Sequence, residues 1–318
     1  MNSINFLRLE KILVIFLFIL GGYLCFIGGY GSDEDTLPMF GVFRSLLESG
    51  KLMTSRFTGY PVAEIGLGFI AYNFGSFYAN LVTYTFFILA IYIIFLTLND
   101  FKKDNLFLFL LLCLSNQFLF FDNLEPIDYS WALFFFSLGL YFYKKNILEL
   151  SILFFAISIG ARLNFGLFIV VAILFFDSEN HKKLFTKLRI IFVILFLGCL
   201  FYVPVWYQNS LNFEWLTASR PTSQGVLGIF ARFFYKITLA FNFLSLLLII
   251  LIFITYKKNI KLNNVNNNFI FSIILSNLAL FLWIPAEISY IQPAIIFLYF
   301  FIANNFKKNL VNIIIFSN

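Results

Sequence analysis

Long apolar runs alternate with short polar or charged segments along the whole chain. The clearest runs cover residues 11–30, 80–98, 106–121, 130–143, 147–176, 188–206, 234–256, 269–284 and 292–303. Lipid offers no hydrogen-bond partners, so a spanning chain must form helices or a closed barrel. These runs are continuous rather than alternating, and they are longer than barrel strands, which favours helices. The pattern predicts an all-α, polytopic transmembrane bundle.

The run 147–176 differs from the others because polar and small residues interrupt it around Arg162. Each half is shorter than the roughly 20 residues that a full crossing needs. We expect a helical hairpin with Arg162 at its tip, near the outer face. A charge is costly in lipid, so Arg162 should face a cavity or a partner. With the hairpin counted as two helices, the chain has about ten spans, and the final apolar segment 310–316 is too short to cross.

The distribution of charge predicts the orientation. Arg8 and Lys11 precede the first run and acidic residues follow it, which places the amino terminus in the cytoplasm. Propagating this orientation puts 15 of the 22 basic residues on the cytoplasmic side. The first run has no small-residue cleavage site, so we expect a signal anchor rather than a cleaved signal peptide, with both termini cytoplasmic.

Composition sets the class of protein. The chain is 61% apolar and only 12% charged, more apolar surface than a soluble domain of 318 residues can bury. We expect a single transmembrane domain over residues 1–318 and no soluble domain. The net charge of +6 follows from the basic cytoplasmic loops, so it does not indicate nucleic-acid binding. The three cysteines lie within apolar runs and the single histidine has no partner for a metal site.

A polar island at 31–61 follows the first run. Asp33, Glu34 and Asp35 come first, at the predicted membrane exit. In 36–49 the apolar residues recur at helical spacing, which predicts a short helix on the membrane surface. The apolar stretch 61–73 is too short to span and belongs at the interface or partly within it. Residues 31–79 thus form an outer loop with two juxtamembrane helices.

Other polar residues are predicted on the same outer side. Asp122, Glu125 and Asp128 indicate a hydrated turn. Arg162 has two interpretations, a ligand of a substrate phosphate or a structural partner of a carboxylate such as Asp128 or Glu287. Elaborated outer loops and short basic inner loops indicate that the protein works at its outer face. Two acids one residue apart could hold a divalent metal, but hard cations need more oxygen ligands, so no metal is assigned.

Two features together resemble the GT-C superfamily of membrane glycosyltransferases. They are the acidic residues Asp33, Glu34 and Asp35, and the segment Ser55-Arg56-Phe57-Thr58-Gly59-Tyr60-Pro61. The nearest likeness is to bacterial members related to protein mannosyltransferases and to aminoarabinose transferases that act on lipid A. Gly160-Ala161-Arg162 is similar to the Gly-x-Arg region of that family. Pro285-x-Glu287-x-x-Tyr290-x-x-Pro293 is similar to a late outer-loop pattern. The resemblance covers roughly residues 10 to 295.

The resemblance implies transfer of a sugar from a polyprenyl-phosphate donor to a glycan, lipid or protein acceptor at the outer face of the inner membrane of a bacterium. An acceptor hydroxyl becomes nucleophilic when a carboxylate takes its proton, and Asp33 or Asp35 would be that base, with Asp33 favoured. Arg56 and Arg162 would hold the donor phosphate, because an arginine fork fits phosphate oxygens. The other residues that the resemblance places against substrate are Glu34, Tyr60, Glu287 and Tyr290.

Two other functions stay open. A transporter or flippase of lipid-linked glycans would need polar or broken helices near the bilayer midplane, ideally in matching halves. The sequence shows no such internal symmetry. An inactive membrane scaffold would tolerate alanine at Asp33, Arg56 and Arg162 together.

Overall fold

The computed structural model describes residues 3–31, 36–55, 59–98, 105–176, 183–208, 225–256, 265–283 and 287–318. Within these ranges the chain forms sixteen α-helices and one short 3-10 helix, and no strand occurs there. The all-α fold predicted from the continuous apolar runs is confirmed.

The helices follow the apolar runs closely. The first eight are α1 (Ser3–Ile27), α2 (Thr36–Ser49), α3 (Pro61–Phe74), α4 (Ser76–Leu98), α5 (Leu106–Ser115), α6 (Gln117–Asp122), α7 (Asp128–Lys144) and α8 (Leu148–Ala161). The next eight are α9 (Phe165–Phe175), α10 (Leu184–Leu200), α11 (Val203–Gln208), α12 (Val226–Phe241), α13 (Phe243–Tyr256), α14 (Val265–Trp283), α15 (Gln292–Asn305) and α16 (Lys308–Ser317), and the 3-10 helix at Ile288–Ile291 precedes α15.

Several of these helices suit a membrane. Among the described residues, three stretches are long and apolar enough to cross one, namely Leu9–Ile27, Ser76–Leu98 and Ile288–Asn305. The pair α12 and α13 adds a fourth if its two helices, bent by 93° at their junction, count as one span. The outer surface of α1 carries large apolar side chains, and Ile19 and Phe26 are each more than three-fifths exposed. Such a surface suits lipid rather than water.

The chain divides into two compact units. The terminal unit comprises Met1–Gly21, Leu98–Asp122 and Pro221–Asn318, and the central unit comprises Gly22–Thr97 and Asn123–Arg220. In the central unit α7 and α8 pack closely. Ser158 Oγ donates to the carbonyl of Ala132 at 2.8 Å, and Ser151 Oγ donates to the carbonyl of Gly139 at 3.0 Å. Small and hydroxylated residues at a helix contact are typical of membrane bundles.

In the terminal unit, the run 106–121 is not the single helix that its continuous apolarity predicts. It breaks at Asn116, whose backbone is extended (φ −68°, ψ 112°) between α5 and α6. The buried Asn116 side chain donates to the carbonyl of Ala240 at 2.9 Å and accepts from the Leu119 N–H at 2.8 Å. The side chain therefore satisfies backbone groups that the break exposes, as an apolar environment requires.

The run 234–256 is also broken. The helices α12 and α13 meet at Asn242, a residue other than glycine with a φ of +59°. Asn242 donates from its side chain to the carbonyl of Ser317, at the end of α16, at 3.3 Å. The apolar pattern of the sequence does not indicate this bend, because the helices on both sides of it are apolar. The segment predicted as too short to cross is the helix α16, which supplies polar groups to this junction.

The two predicted juxtamembrane helices, α2 and α3, are present in the central unit. Asn80, in the first turns of α4, fixes the point where α1 ends. Its buried amide donates to the carbonyls of Gly29 at 2.8 Å and Cys25 at 3.3 Å. The C-terminal carbonyls of a helix otherwise lack partners. This clamp holds the start of the polar island beside α4.

Candidate functional site

The linker between α2 and α3 begins and ends with strained turns that glycine permits. Gly50 ends α2 at a φ of +67°, and Gly59 has a φ of +68° just before α3. A Cβ on Gly59 would lie 2.4 Å from the side chain of Thr54, so the linker folds back closely on itself there. Pro61 then starts α3, where its fixed φ suits the first helical position.

Glu64 lies one turn into α3 and is fully buried. Its Oε1 accepts a hydrogen bond from the backbone N–H of Ser55 at 3.0 Å and another from the Ser55 hydroxyl. Its Oε2 is buried with no hydrogen-bond partner among the residues that the structure describes. The carboxyl therefore fixes the linker at the residue just before Arg56 of the quoted motif.

Burial raises the pKa of the Glu64 carboxyl above its usual range. The hydrogen bonds from Ser55 oppose this rise, whereas the nearby charge of Asp128 adds to it. A raised pKa favours the neutral acid over the carboxylate, which is the direction that burial without a paired cation produces.

Arg162 and Asp128 form a buried ion pair between the tip of the α8–α9 hairpin and the start of α7. The Arg162 guanidinium donates from Nη1 to Asp128 Oδ2, and the two residues are 1% and 0% exposed. Asp128 occupies the first turn of α7, where the helix dipole also favours a negative charge. Asp128 is therefore not part of a hydrated turn, and that interpretation of the sequence is wrong for this residue.

Two tyrosine rings lie against the Arg162 guanidinium. Its Cζ is 3.3 Å from the ring centroid of Tyr129 and 4.8 Å from that of Tyr60. Both distances are within the range of cation–π attraction, which is strongest when the cation is desolvated. Tyr60 thus connects the α2–α3 linker to the arginine at the hairpin tip.

The hairpin tip is packed closely against α3 by a second contact. A Cβ on Gly160 would lie 2.7 Å from the side chains of Val62 and Phe201. Tyr202 closes this side of the cluster and donates from its hydroxyl to the carbonyl of Ile159 at 2.9 Å. The segments Gly59-Tyr60-Pro61 and Gly160-Ala161-Arg162, about a hundred residues apart in sequence, therefore meet in the central unit.

Among its described residues, the buried cluster has one cation, Arg162, and two carboxyl groups, Asp128 and Glu64. A protonated Glu64 leaves one positive and one negative charge in direct contact. Buried charges persist only when paired and hydrogen-bonded in this way.

The remaining predicted site residues fall into two groups. Those outside the described residues are Asp33, Glu34, Asp35 and Arg56. Gly31 is described, and a Cβ on it would lie 3.1 Å from the carboxylate of Glu125 in the central unit. Glu287 and Tyr290 belong to the terminal unit, whereas Arg162 belongs to the central unit.

Glu287 and Tyr290 flank a polar cluster of their own. The Tyr290 carbonyl accepts from the side chain of Asn277 at 2.8 Å. Asp122, at the end of α6, accepts from Ser289 Oγ at 3.0 Å and from the Gln292 side chain. These bonds hold the 3-10 helix against α6 and α14, so the late outer-loop pattern has a structural role in the terminal unit.

Sequence reasoning missed the roles of Glu64 and Tyr129, and it named Asp128 only as one of two possible partners of Arg162. One local signal was available for Asp128, since an acid directly before an apolar run is a common helix start. Nothing local distinguishes Glu64, whose role depends on Ser55 folding back over α3. Within the described ranges, no three acidic, histidine or cysteine side chains are grouped as metal ligands, and Asp33, Glu34 and Asp35 lie outside those ranges.

Comparison with protein families, with curated proteins and with solved structures finds no match to this chain.

Proposed function

We propose that this chain is a membrane glycosyltransferase that moves a sugar from a polyprenyl-phosphate donor to an acceptor at the extracytoplasmic face. The observation that carries the proposal is the contact between Tyr60 and Arg162. It joins two segments that both resemble the same glycosyltransferase superfamily. The proposal includes about ten spans, with both termini in the cytoplasm.

In this mechanism Asp33, or alternatively Asp35, takes the proton of the acceptor hydroxyl as the hydroxyl attacks the anomeric carbon. The bond from that carbon to the donor phosphate breaks, and the phosphate leaves with the electron pair. Arg56 neutralises the charge that develops on it. Glu64 and Tyr60 position the linker that carries Arg56, because they hold its two flanking sides.

Arg162 is less available to bind a substrate phosphate than the resemblance alone implies. Its guanidinium is buried, bonded to Asp128 and stacked on two rings. A guanidinium has five N–H donors, so a substrate phosphate could share it with Asp128. Its assignment as a phosphate ligand stays a prediction, and the structural pairing with Asp128 that the sequence also suggested has geometric support.

Asp33→Asn tests the proposal. The purified variant should elute and insert as the wild type does, yet lose transfer from a panel of polyprenyl-phosphate sugars to their acceptors. Glu48→Gln is the matched control, because Glu48 is an exposed acid on α2 that bonds only to Arg44 among the described contacts. Full transfer by Asp33→Asn would remove Asp33 from the mechanism.

A second candidate function, transport or flipping of a lipid-linked glycan, is favoured by the two broken helices of the terminal unit. The break at Asn116 bonds to Ala240, two residues before the bend at Asn242. Transporters commonly place discontinuous helices at their binding sites. Glycan movement across vesicle membranes without any acceptor, together with no transfer in the assay above, would favour this candidate.

A further inference from the structure

An open cleft lies beside the α2–α3 linker in the central unit. Its volume is about 680 Å³, and it is lined by Lys51, Leu52, Met53, Thr54, Tyr207 and Gln208. Small-molecule sites commonly occupy roughly 300–1,000 Å³. One wall is the linker itself and the other is the end of α11. No part of this cleft was predicted from the sequence.

The two walls are held together, so the cleft is preformed. With its side-chain amide oriented so that the nitrogen faces the Leu52 carbonyl, Gln208 donates to that carbonyl and accepts from the Leu52 N–H at 2.7 Å. The Leu52 side chain is buried against Val42 and Val205. Because the backbone and the side chain of Leu52 are both held, this part of the linker loses little conformational freedom when a ligand binds.

The chemistry of the lining residues defines a ligand class. Lys51 is the only ionised side chain among the lining residues described, so the cleft favours one negative charge. Tyr207 is 81% exposed and presents an aromatic face, beside the exposed Met53. Thr54 carries a hydroxyl, and the Gln208 amide retains hydrogen-bonding capacity beyond its two bonds to Leu52. A cation, a flat apolar face and scattered hydroxyl partners together match a phosphorylated sugar ring.

We infer that this cleft binds the phosphate-bearing sugar of a substrate, with Lys51 on the phosphate and Tyr207 against the ring. The inference rests on the proposed function in one respect, that such a ligand is a substrate. Thr54 touches Gly59 and is followed directly by Ser55, so the cleft adjoins the linker positions that precede Arg56. Occupation of the cleft would place a sugar next to the motif that resembles the glycosyltransferases.

Saturation-transfer NMR with mannose 1-phosphate tests the inference on the full chain in phosphatidylcholine nanodiscs. We expect binding to the wild type that exceeds binding of mannose or inorganic phosphate alone. Lys51→Gln should weaken it about tenfold, the usual loss for one hydrogen bond to a charged group. Tyr207→Ala should weaken it several-fold, whereas Tyr207→Phe should retain most of the affinity.

Arg44→Gln is the matched control, since Arg44 is an exposed cation on α2 that bonds to Glu48 and does not line the cleft. Absence of mannose 1-phosphate binding, or an equal loss in Arg44→Gln, would overturn the inference. A second arm replaces the sugar phosphate with phosphatidylglycerol in the nanodisc. If Lys51→Gln changes only the association with that lipid, Lys51 is a membrane anchor and the inference fails. Binding is measured without transfer, so either proposal can fail while the other stands.

Discussion

The buried pair of Arg162 and Asp128 makes a quantitative prediction about stability. Removing one partner leaves an uncompensated charge in the interior, which typically costs about 3–5 kcal/mol. Asp128→Leu strands the guanidinium, and Arg162→Met strands the carboxylate. Arg162→Met also loses the stacking on Tyr60 and Tyr129, worth up to about 2 kcal/mol for each desolvated contact. Each single variant should therefore lower the free energy of unfolding by at least about 3 kcal/mol.

The double variant Asp128→Leu/Arg162→Met removes both charges at once. Replacing a buried ion pair by apolar residues is often neutral or stabilising by about 1–4 kcal/mol, which offsets the lost stacking. We expect the double variant to be more stable than either single one, with a coupling energy of about 3 kcal/mol or more. The free energies of unfolding of the three variants and the wild type are measured in the same mixed micelles with increasing dodecyl sulfate.

Additivity would refute this reasoning. If the double variant loses the sum of the two single losses, within about 0.5 kcal/mol, the two side chains do not act as a pair. A folded double variant also separates the two interpretations of Arg162. Retained sugar transfer would make its role structural, and lost transfer at preserved stability would support contact with the donor phosphate.

Three further predictions use the same unfolding assay. The pKa of Glu64 is raised by burial, so the free energy of unfolding should fall as pH rises from the ordinary carboxyl range through the folded-state pKa. Glu64→Gln should remove that fall and keep the bonds from Ser55, whereas Glu64→Ala should cost about 1–3 kcal/mol at low pH. Gly198→Ala should cost about 1–3 kcal/mol, because its Cβ would lie 2.7 Å from Ile159, while Gly22→Ala meets open space and should be neutral or stabilising. Asn116→Leu should cost at least about 2 kcal/mol, because it leaves buried backbone groups without partners.

The sequence predicts the helices of this protein well because lipid restricts a membrane-spanning chain to very few backbone structures. Apolar runs in such a chain can only be helices, so α2, α3, α8 and α9 follow from length, spacing and interruptions. The breaks at Asn116 and Asn242 do not follow from the apolar pattern of the sequence. Each depends on hydrogen bonds to residues more than seventy positions away, and apolar periodicity contains no record of such partners.

The candidate site was predictable only in part. The glycine, tyrosine and arginine of the two quoted segments could be chosen from their types and spacing, and the structure brings Tyr60 and Arg162 into contact. Of the carboxyl groups that hold them, Asp128 was one of two candidate partners of Arg162, and Glu64 was not identified. Only the folded geometry distinguishes a buried partner from a solvated side chain.

The arrangement of these two carboxyl groups has a consequence for how the linker is held. Asp128 is committed to Arg162, whereas Glu64 bonds to a backbone N–H and a hydroxyl, which need no full negative charge. Two ionised acids beside one guanidinium would leave a net negative charge in the interior. Protonating Glu64 removes that charge without breaking any contact to Ser55. Glutamine at 64 should therefore hold the linker equally well at every pH, whereas glutamate should hold it less well as the pH rises.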